Sequence, residues 1–233
     1  MKTKFLIATL FSISLLWGED VYAIFNIEAV QDSNLTLDTS GIISEMLVDV
    51  DSVVKKGDKL LVLSNKDKIA QANSIEQQYL FAKKQYERYS KTGSAIDKNT
   101  LDKYYSDYKK LEADYAYYTS LLEKSILKAP FDGVIASKNV ELGDGVIANN
   151  TTLFRLVSHQ KKIVLQYDSK YIDKVKVGDE YDYSIDGNGN QKNAKITKIY
   201  PTIDDNTRKV TAEAVVGDDM IPGIFGDGYI RTK

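Results

Sequence analysis

Cysteine is absent from the 233 residues, and His159 is the only histidine. Without cysteine the chain has no disulfides, thiolate nucleophiles, zinc–thiolate sites or iron–sulfur clusters, and no lipidated cysteine. A histidine-based general base or metal site normally needs further partner residues, and a single histidine after an apolar run is more often a surface or turn residue. Methionine is scarce too: apart from Met1 only Met46 and Met220 occur, too few for a thioether cluster. Charges of the two signs nearly balance. The formal net charge is -2, which excludes the basic footprint of a nucleic-acid binder. Past the N-terminus no segment is long and apolar enough to span a bilayer, which takes roughly 20 residues. Carboxylates do cluster, at Asp49/Asp51, Asp204/Asp205 and Asp218/Asp219, but each pair sits in a turn context where Asp stabilises the local backbone. Gly187 and Gly189 lack the strand-to-helix setting of a phosphate loop. The expectation is a protein with no catalytic centre, no cofactor and no metal.

The first residues form a secretion signal. Lys2 and Lys4 precede an uncharged apolar run from Phe5 to Leu16, and Val21-Tyr22-Ala23 offers small residues where a leader peptidase reads them. Residues 1–23 are therefore expected to be removed. The alternative is a retained anchor, for which the apolar core is short.

Three textures follow. Residues 35–65 alternate short apolar runs with Gly-Asp turns: Gly41-Ile42-Ile43, Met46-Leu47-Val48, Lys56-Gly57-Asp58, then Leu60 to Leu63. Such runs predict antiparallel strands. Residues 66–125 contain no proline and one glycine, Gly93. Apolar side chains recur there at helical spacing, first at Ala72, Ile75, Tyr79, Ala82, Tyr86 and Tyr89. After the Thr92-Gly93-Ser94 break they resume at Leu101, Tyr104, Tyr108, Leu111, Tyr115, Tyr118 and Leu122. One seam on each helix predicts an antiparallel hairpin, with Asp97 and Thr100 opening the returning arm. Each arm of about 25 residues would reach about 38 Å. The strand texture then returns over residues 126–158 with the same layout as 35–65, including Gly143-Asp144. Two such half-motifs, each unable to bury a face alone, predict one small sandwich from which the hairpin emerges. From residue 159 onward, runs at 163–167, 175–179, 181–185, 195–200 and 210–215 predict a small barrel, joined by a first strand from 24–34.

Several stretches carry a resemblance. Gly41 to Leu60, then Leu127-Lys128-Ala129-Pro130-Phe131-Asp132-Gly133-Val134-Ile135 through Gly143-Asp144 and Leu153-Phe154, resemble the two lipoyl halves of the periplasmic adaptor (membrane fusion protein) family. This is the family of tripartite efflux systems, most similar in its resistance-nodulation-division type. Tyr200-Pro201-Thr202-Ile203-Asp204 with Thr207-Arg208, and Ile221-Pro222-Gly223, are similar to its barrel signatures. The resemblance implies a mainly β fold with an α-helical hairpin: split lipoyl-like β-sandwich, antiparallel coiled coil and small β-barrel. It implies a Gram-negative periplasmic adaptor linking an inner-membrane efflux transporter to an outer-membrane channel protein, in a ring, a hexamer by resemblance, exporting small molecules as in multidrug resistance. Channel docking would fall on Arg88, Thr92, Gly93, Ser94, Ala95, Ile96 and Asp97, although Thr92 and Asp97 stand where the family has Leu and Ser. An adaptor of an ATP-driven exporter, an exported β-domain unrelated to export, and a lipoyl or biotinyl carrier are the alternatives. For a carrier, Lys66 and Lys68 are the nearest lysines.

Overall fold

A computed structural model describes residues 19–91, 97–185, 191–217 and 220–232. Residues 1–18, 92–96, 186–190, the pair Asp218/Asp219 and Lys233 lie outside the described residues, so the N-terminal part of the expected 1–23 leader, the expected docking residues 92–96 and the glycines at 187 and 189 are not described. Among those described, no helix is long and apolar enough to cross a membrane. The chain divides into two units. One is Gln31–His159, and the other joins the segment up to Val30 with Gln160–Lys233.

In the first unit, β2 (Asp32–Leu35), β3 (Gly41–Met46), β4 (Val53–Val54) and β5 (Lys59–Leu63) precede two helices, α1 (Lys66–Ser90) and α2 (Lys98–Glu123). After the helices come β6 (Ile126–Lys128), β7 (Gly133–Lys138), β8 (Gly145–Val146) and β9 (Phe154–Ser158). The strands form two four-stranded sheets, ordered β2-β9-β7-β4 and β6-β5-β3-β8. Each sheet takes two strands from before the hairpin and two from after it. Leu35 is paired with Phe154, Val54 with Gly133, Gly41 with Val146 and Leu61 with Leu127. One core lies between the sheets, containing Ile43, Leu60, Leu61 and Leu63 from the first half and Ile135, Leu153, Phe154 and Leu156 from the second. Fully burying side chains of this size stabilises by about 1.5–3 kcal/mol each, and neither half has the partner face to do so alone.

The Gly-Asp turns are one device used three times. Gly57, Gly143 and Gly178 take φ of 93°, 94° and 100°, the left-handed position that a type II turn demands of its third residue. In each, the following Asp closes the turn from both sides. Asp58 N–H donates to the Lys55 carbonyl at 3.0 Å, and its carboxylate accepts from Lys55 N–H at 2.8 Å. Asp144 with Glu141 and Asp179 with Lys176 repeat both bonds within 0.1 Å. The stretch 175–179, expected as a strand, is therefore the third of these turns. Its Lys-Val-Gly-Asp sequence matches the Lys-Lys-Gly-Asp turn more closely than it matches any strand.

The second unit is a closed barrel. Its strands are β1 (Asp20–Ala29), β10 (Lys161–Asp168), β11 (Glu180–Ile185), β12 (Lys192–Ile203), β13 (Lys209–Val215) and β14 (Phe225–Arg231), in the order β1-β10-β13-β12-β11-β14. The expected first strand over 24–34 is corrected at both ends. β1 starts at Asp20 because the alternation of buried and exposed residues runs unbroken from Val21 to Ala29. Residues 32–34 belong to β2 of the sandwich. β14 has no counterpart among the expected strands, and its Phe225-Gly226-Asp227-Gly228 start carries two glycines, which weaken a strand interior. Those glycines are where the barrel fills with aromatics. Phe25 lies across from Gly226 and Tyr183 across from Gly228, and the two rings meet edge to face at 5.0 Å. A Cβ on Gly228 would stand 2.1 Å from the Asp182 carbonyl oxygen and 2.7 Å from the Tyr183 Cα. Both are backbone atoms of the neighbouring strand, so only a strand shift relieves the clash. We expect Gly228→Ala to destabilise the barrel by about 2–3 kcal/mol, read as a lowered thermal midpoint. An unchanged midpoint would contradict this packing.

Candidate functional site

The hairpin begins where the sandwich opens. Leu63 N–H donates to the Ser125 carbonyl at 2.9 Å, so the strand entering α1 and the residue leaving α2 are joined by a backbone bond. Asn65, the residue before α1, does not cap its own helix. Its side-chain amide reaches Ser125 Oγ at 3.2 Å, while that hydroxyl donates to the Leu122 carbonyl at 2.5 Å. Ser125 is fully buried, and these bonds satisfy its polar atoms. Outside them, Lys124 pairs with Asp38 at 2.8 Å. None of these four residues stood out in the sequence. Ser, Asn and Lys at a helix boundary and Asp in a loop are common, and only the juxtaposition of residues 60 or more apart in the chain gives them a role.

Along the shaft the seam is where the spacing placed it. Ala72 and Ala82 are buried, the other seam positions are half-buried, and α2 has no fully buried residue. Tyrosines fill the gap between the helices. Tyr79 stacks on Tyr115 at 5.5 Å and on Tyr108 at 5.9 Å. Tyr86 stacks on Tyr108 at 5.8 Å, and Tyr89 on Tyr104 at 4.8 Å. Their hydroxyls find carboxylates at the edge of the seam: Tyr115 donates to Glu76 across the pair at 3.3 Å, and Tyr108 to Glu112 at 2.8 Å. The Glu112 side chain beside Tyr108 holds the Tyr108 phenol above its ordinary range.

At the far end, Arg88 lies exposed in the last turn of α1, where a cation complements the helix dipole. Asp97 caps α2, accepting from Thr100 N–H at 3.0 Å and from its hydroxyl at 3.1 Å. The backbone N–H of Thr100, with its hydroxyl, keeps the Asp97 carboxyl below the usual carboxylate range. Arg88 and Asp97 thus mark the two sides of one hairpin end. Thr92, Gly93, Ser94, Ala95 and Ile96 lie outside the described residues.

Other residues weighed in the sequence have these positions. Lys66 and Lys68 stand in the first turn of α1. Asp49 accepts from Val50 N–H and Asp204 from Asn206 and Thr207 N–H, so both shape their own turns. No group of metal-ligating side chains occurs among the described residues. On the barrel, Glu213 is a half-buried hub that the sequence did not signal. It accepts from Lys162 at 2.5 Å and from the Tyr200 hydroxyl at 2.8 Å, with Lys198 at 3.6 Å. Burial is the largest single influence on its carboxyl and opposes ionisation. The Lys162 and Tyr200 bonds with the two lysine charges outweigh it, and the carboxyl stays below its ordinary range. The Tyr200-Pro201-Thr202-Ile203 stretch ends β12, where the register to β13 slips between Ile199 and Ile203, as a strand carrying Pro requires.

This arrangement has known counterparts. The chain superposes on a MacA–MexA chimeric protein carrying the Pseudomonas aeruginosa MexA α-hairpin domain, with a TM-score of 0.80, 22% identity, and coverage of 93% of this chain and 83% of that one. The fold is that of the membrane fusion proteins. MacA from Actinobacillus actinomycetemcomitans matches with a TM-score of 0.73 and 21% identity, over 93% of this chain and 79% of that one. The membrane fusion protein Spr0693 from Streptococcus pneumoniae R6 matches with a TM-score of 0.71 and 16% identity, over 91% of this chain and 99% of that one. By sequence, an uncharacterised protein of Haemophilus influenzae is 23% identical over 202 residues, 84% of this chain and 53% of that protein. The chain therefore spans about half the length of this curated relative. No protein-family model matches it. In the membrane fusion fold as found here, the hairpin and the Glu213 hub each have a measurable signature.

Replacing Tyr79 by Ala removes two stacks. It is expected to cost the hairpin about 1–3 kcal/mol, so that amide exchange in α1 and α2 speeds by about tenfold or more while the sandwich strands keep their protection. The depressed Glu213 carboxyl contributes stability that is present above its unfolded pKa of about 4.3 and is lost as pH falls through its folded value. Glu213→Gln should lower the barrel's midpoint at neutral pH by an amount corresponding to about 1–3 kcal/mol and flatten its decline on acidification. Parallel acid profiles for the two proteins would contradict the hub.

Proposed function

We propose that this chain is a periplasmic adaptor, coupling an inner-membrane efflux transporter to an outer-membrane channel for export of small molecules. The observation that carries this reading is the single sandwich built from two sequence halves, with a two-helix arm emerging through the cut. A carrier domain has no use for such an arm, and an enzyme would need a constellation of reactive groups. A slender arm presents a remote tip, and its chemistry is contact.

The roles follow the parts. The hairpin end from Arg88 to Asp97 docks the channel, with Arg88 as its charged contact. The sandwiches pack side by side in a ring, six protomers by resemblance, where exposed Ile42, Val53, Leu142 and Ile147 would be covered. The barrel engages the transporter. Energy for export comes from that transporter, and the adaptor contributes sealed interfaces and transmitted geometry. The leader sequence supports a periplasmic location.

The test is to delete residues 92–97 in a cell that depends on this chain for export. Channel recovery with the adaptor on cross-linking should fall to background, and efflux should be lost, while the protein remains folded and exported. Arg88→Glu should reduce recovery at least about tenfold, the equivalent of one lost charge-assisted contact. Full efflux with normal channel recovery in both variants would refute the assignment.

A further inference from the structure

Residues 19–23 raise a question about maturation, because two readings compete for them. Val21-Tyr22-Ala23 has the spacing of a leader peptidase site. The same residues are the first half of a barrel strand.

β1 is paired on both edges. Asp20, Val21, Tyr22 and Ala23 face Arg231, Ile230, Tyr229 and Gly228 of β14. Val21 and Ala23 have no exposure and belong to the barrel core. The buried Tyr181 hydroxyl donates to the Ala23 carbonyl at 2.8 Å. Outside, Tyr22 lies edge-on to Tyr229 at 5.7 Å and donates to Asp227 at 3.1 Å. Asp20 is ion-paired with Arg231, and Glu19 with Lys174. The Thr232 hydroxyl donates to the Glu19 carbonyl at 2.7 Å. Cutting after Ala23 would remove every one of these contacts at once. It would leave one edge of β14 unpaired from Gly228 to Arg231, empty two core positions and strand the Tyr181 phenol inside the barrel.

We propose that residues 19–23 stay in the exported protein and that leader removal hydrolyses the Gly18–Glu19 bond. Water adds across that amide, its hydroxyl going to the Gly18 carbonyl carbon and a proton to the Glu19 nitrogen, which becomes the new terminus. The catalyst is the leader peptidase of the export machinery. Gly18 is the only small residue between the end of the apolar run at Leu16 and the first barrel residue. The Val-Tyr-Ala spacing follows from the in-out alternation of this barrel strand, which buries Val21 and Ala23 and leaves Tyr22 outside. It need not be a processing signal. This inference rests on the leader reading and is independent of the adaptor role.

The full-length gene product, purified from a Gram-negative envelope, is to be read by intact mass and N-terminal sequencing. A chain beginning at Glu19 is the expected result; one beginning at Ile24 or still at Met1 overturns the proposal. In parallel, chains starting at Glu19 and at Ile24 are exported behind the same unrelated leader. The shorter chain is expected to melt at least roughly 10 °C lower or to be recovered unfolded, and equal midpoints overturn the requirement for residues 19–23.

Discussion

Everything in the sandwich unit depends on one pairing requirement. Each half of the lipoyl-like motif presents a hydrophobic face too small to close by itself, so the halves interleave strand by strand into both sheets. Leu61 beside Leu127 and Leu35 beside Phe154 are bonds between segments separated by the whole hairpin. The entropy of closing that loop must be met before any core contact repays it. The hairpin lessens this cost. Its local helical contacts bring residues 63 and 125 together, so the interruption presents itself to the sandwich as a short, preclosed link.

The choice of tyrosine for the seam follows from the slenderness of the arm. Two helices without a third layer leave every tyrosine of the seam half in water, where leucine would expose apolar surface and encourage association. Tyrosine supplies ring area for stacking and places its hydroxyl at the wet edge, where Glu76 and Glu112 accept it. The same residue type has the opposite setting in the barrel. Tyr181 is fully enclosed there, its phenol bonded to a backbone carbonyl, and burial raises its pKa far above the ordinary value.

Sequence patterns revealed the parts of this fold whose physics is periodic or local. The three-four spacing from Ala72 to Leu122 located both helices and their facing sides, and Asp97 announced its own cap. The internal repeat revealed the single sandwich. What escaped were features that exist only through distant partners. The Phe225 to Arg231 strand carries two glycines that look like turn residues until Phe25 and Tyr183 are seen filling the space beside them. The start of β1 was hidden beneath a leader motif written in the same letters. The Val175 to Asp179 stretch could have been read correctly, since its Gly-Asp ending already matched two turns. The hairpin base and the Glu213 hub had no local signature at all, being assembled from common polar residues far apart in the chain.

The hydrogen-bonded neck at Leu63 and Ser125 has an evolutionary consequence. Because entry and exit meet there, turns of helix can be added or removed in matched pairs beyond the neck without altering a single sandwich contact. Whole arms can likewise be swapped as cassettes. The arm is in effect an interchangeable spacer, free to change in length while the domain that holds it stays constant.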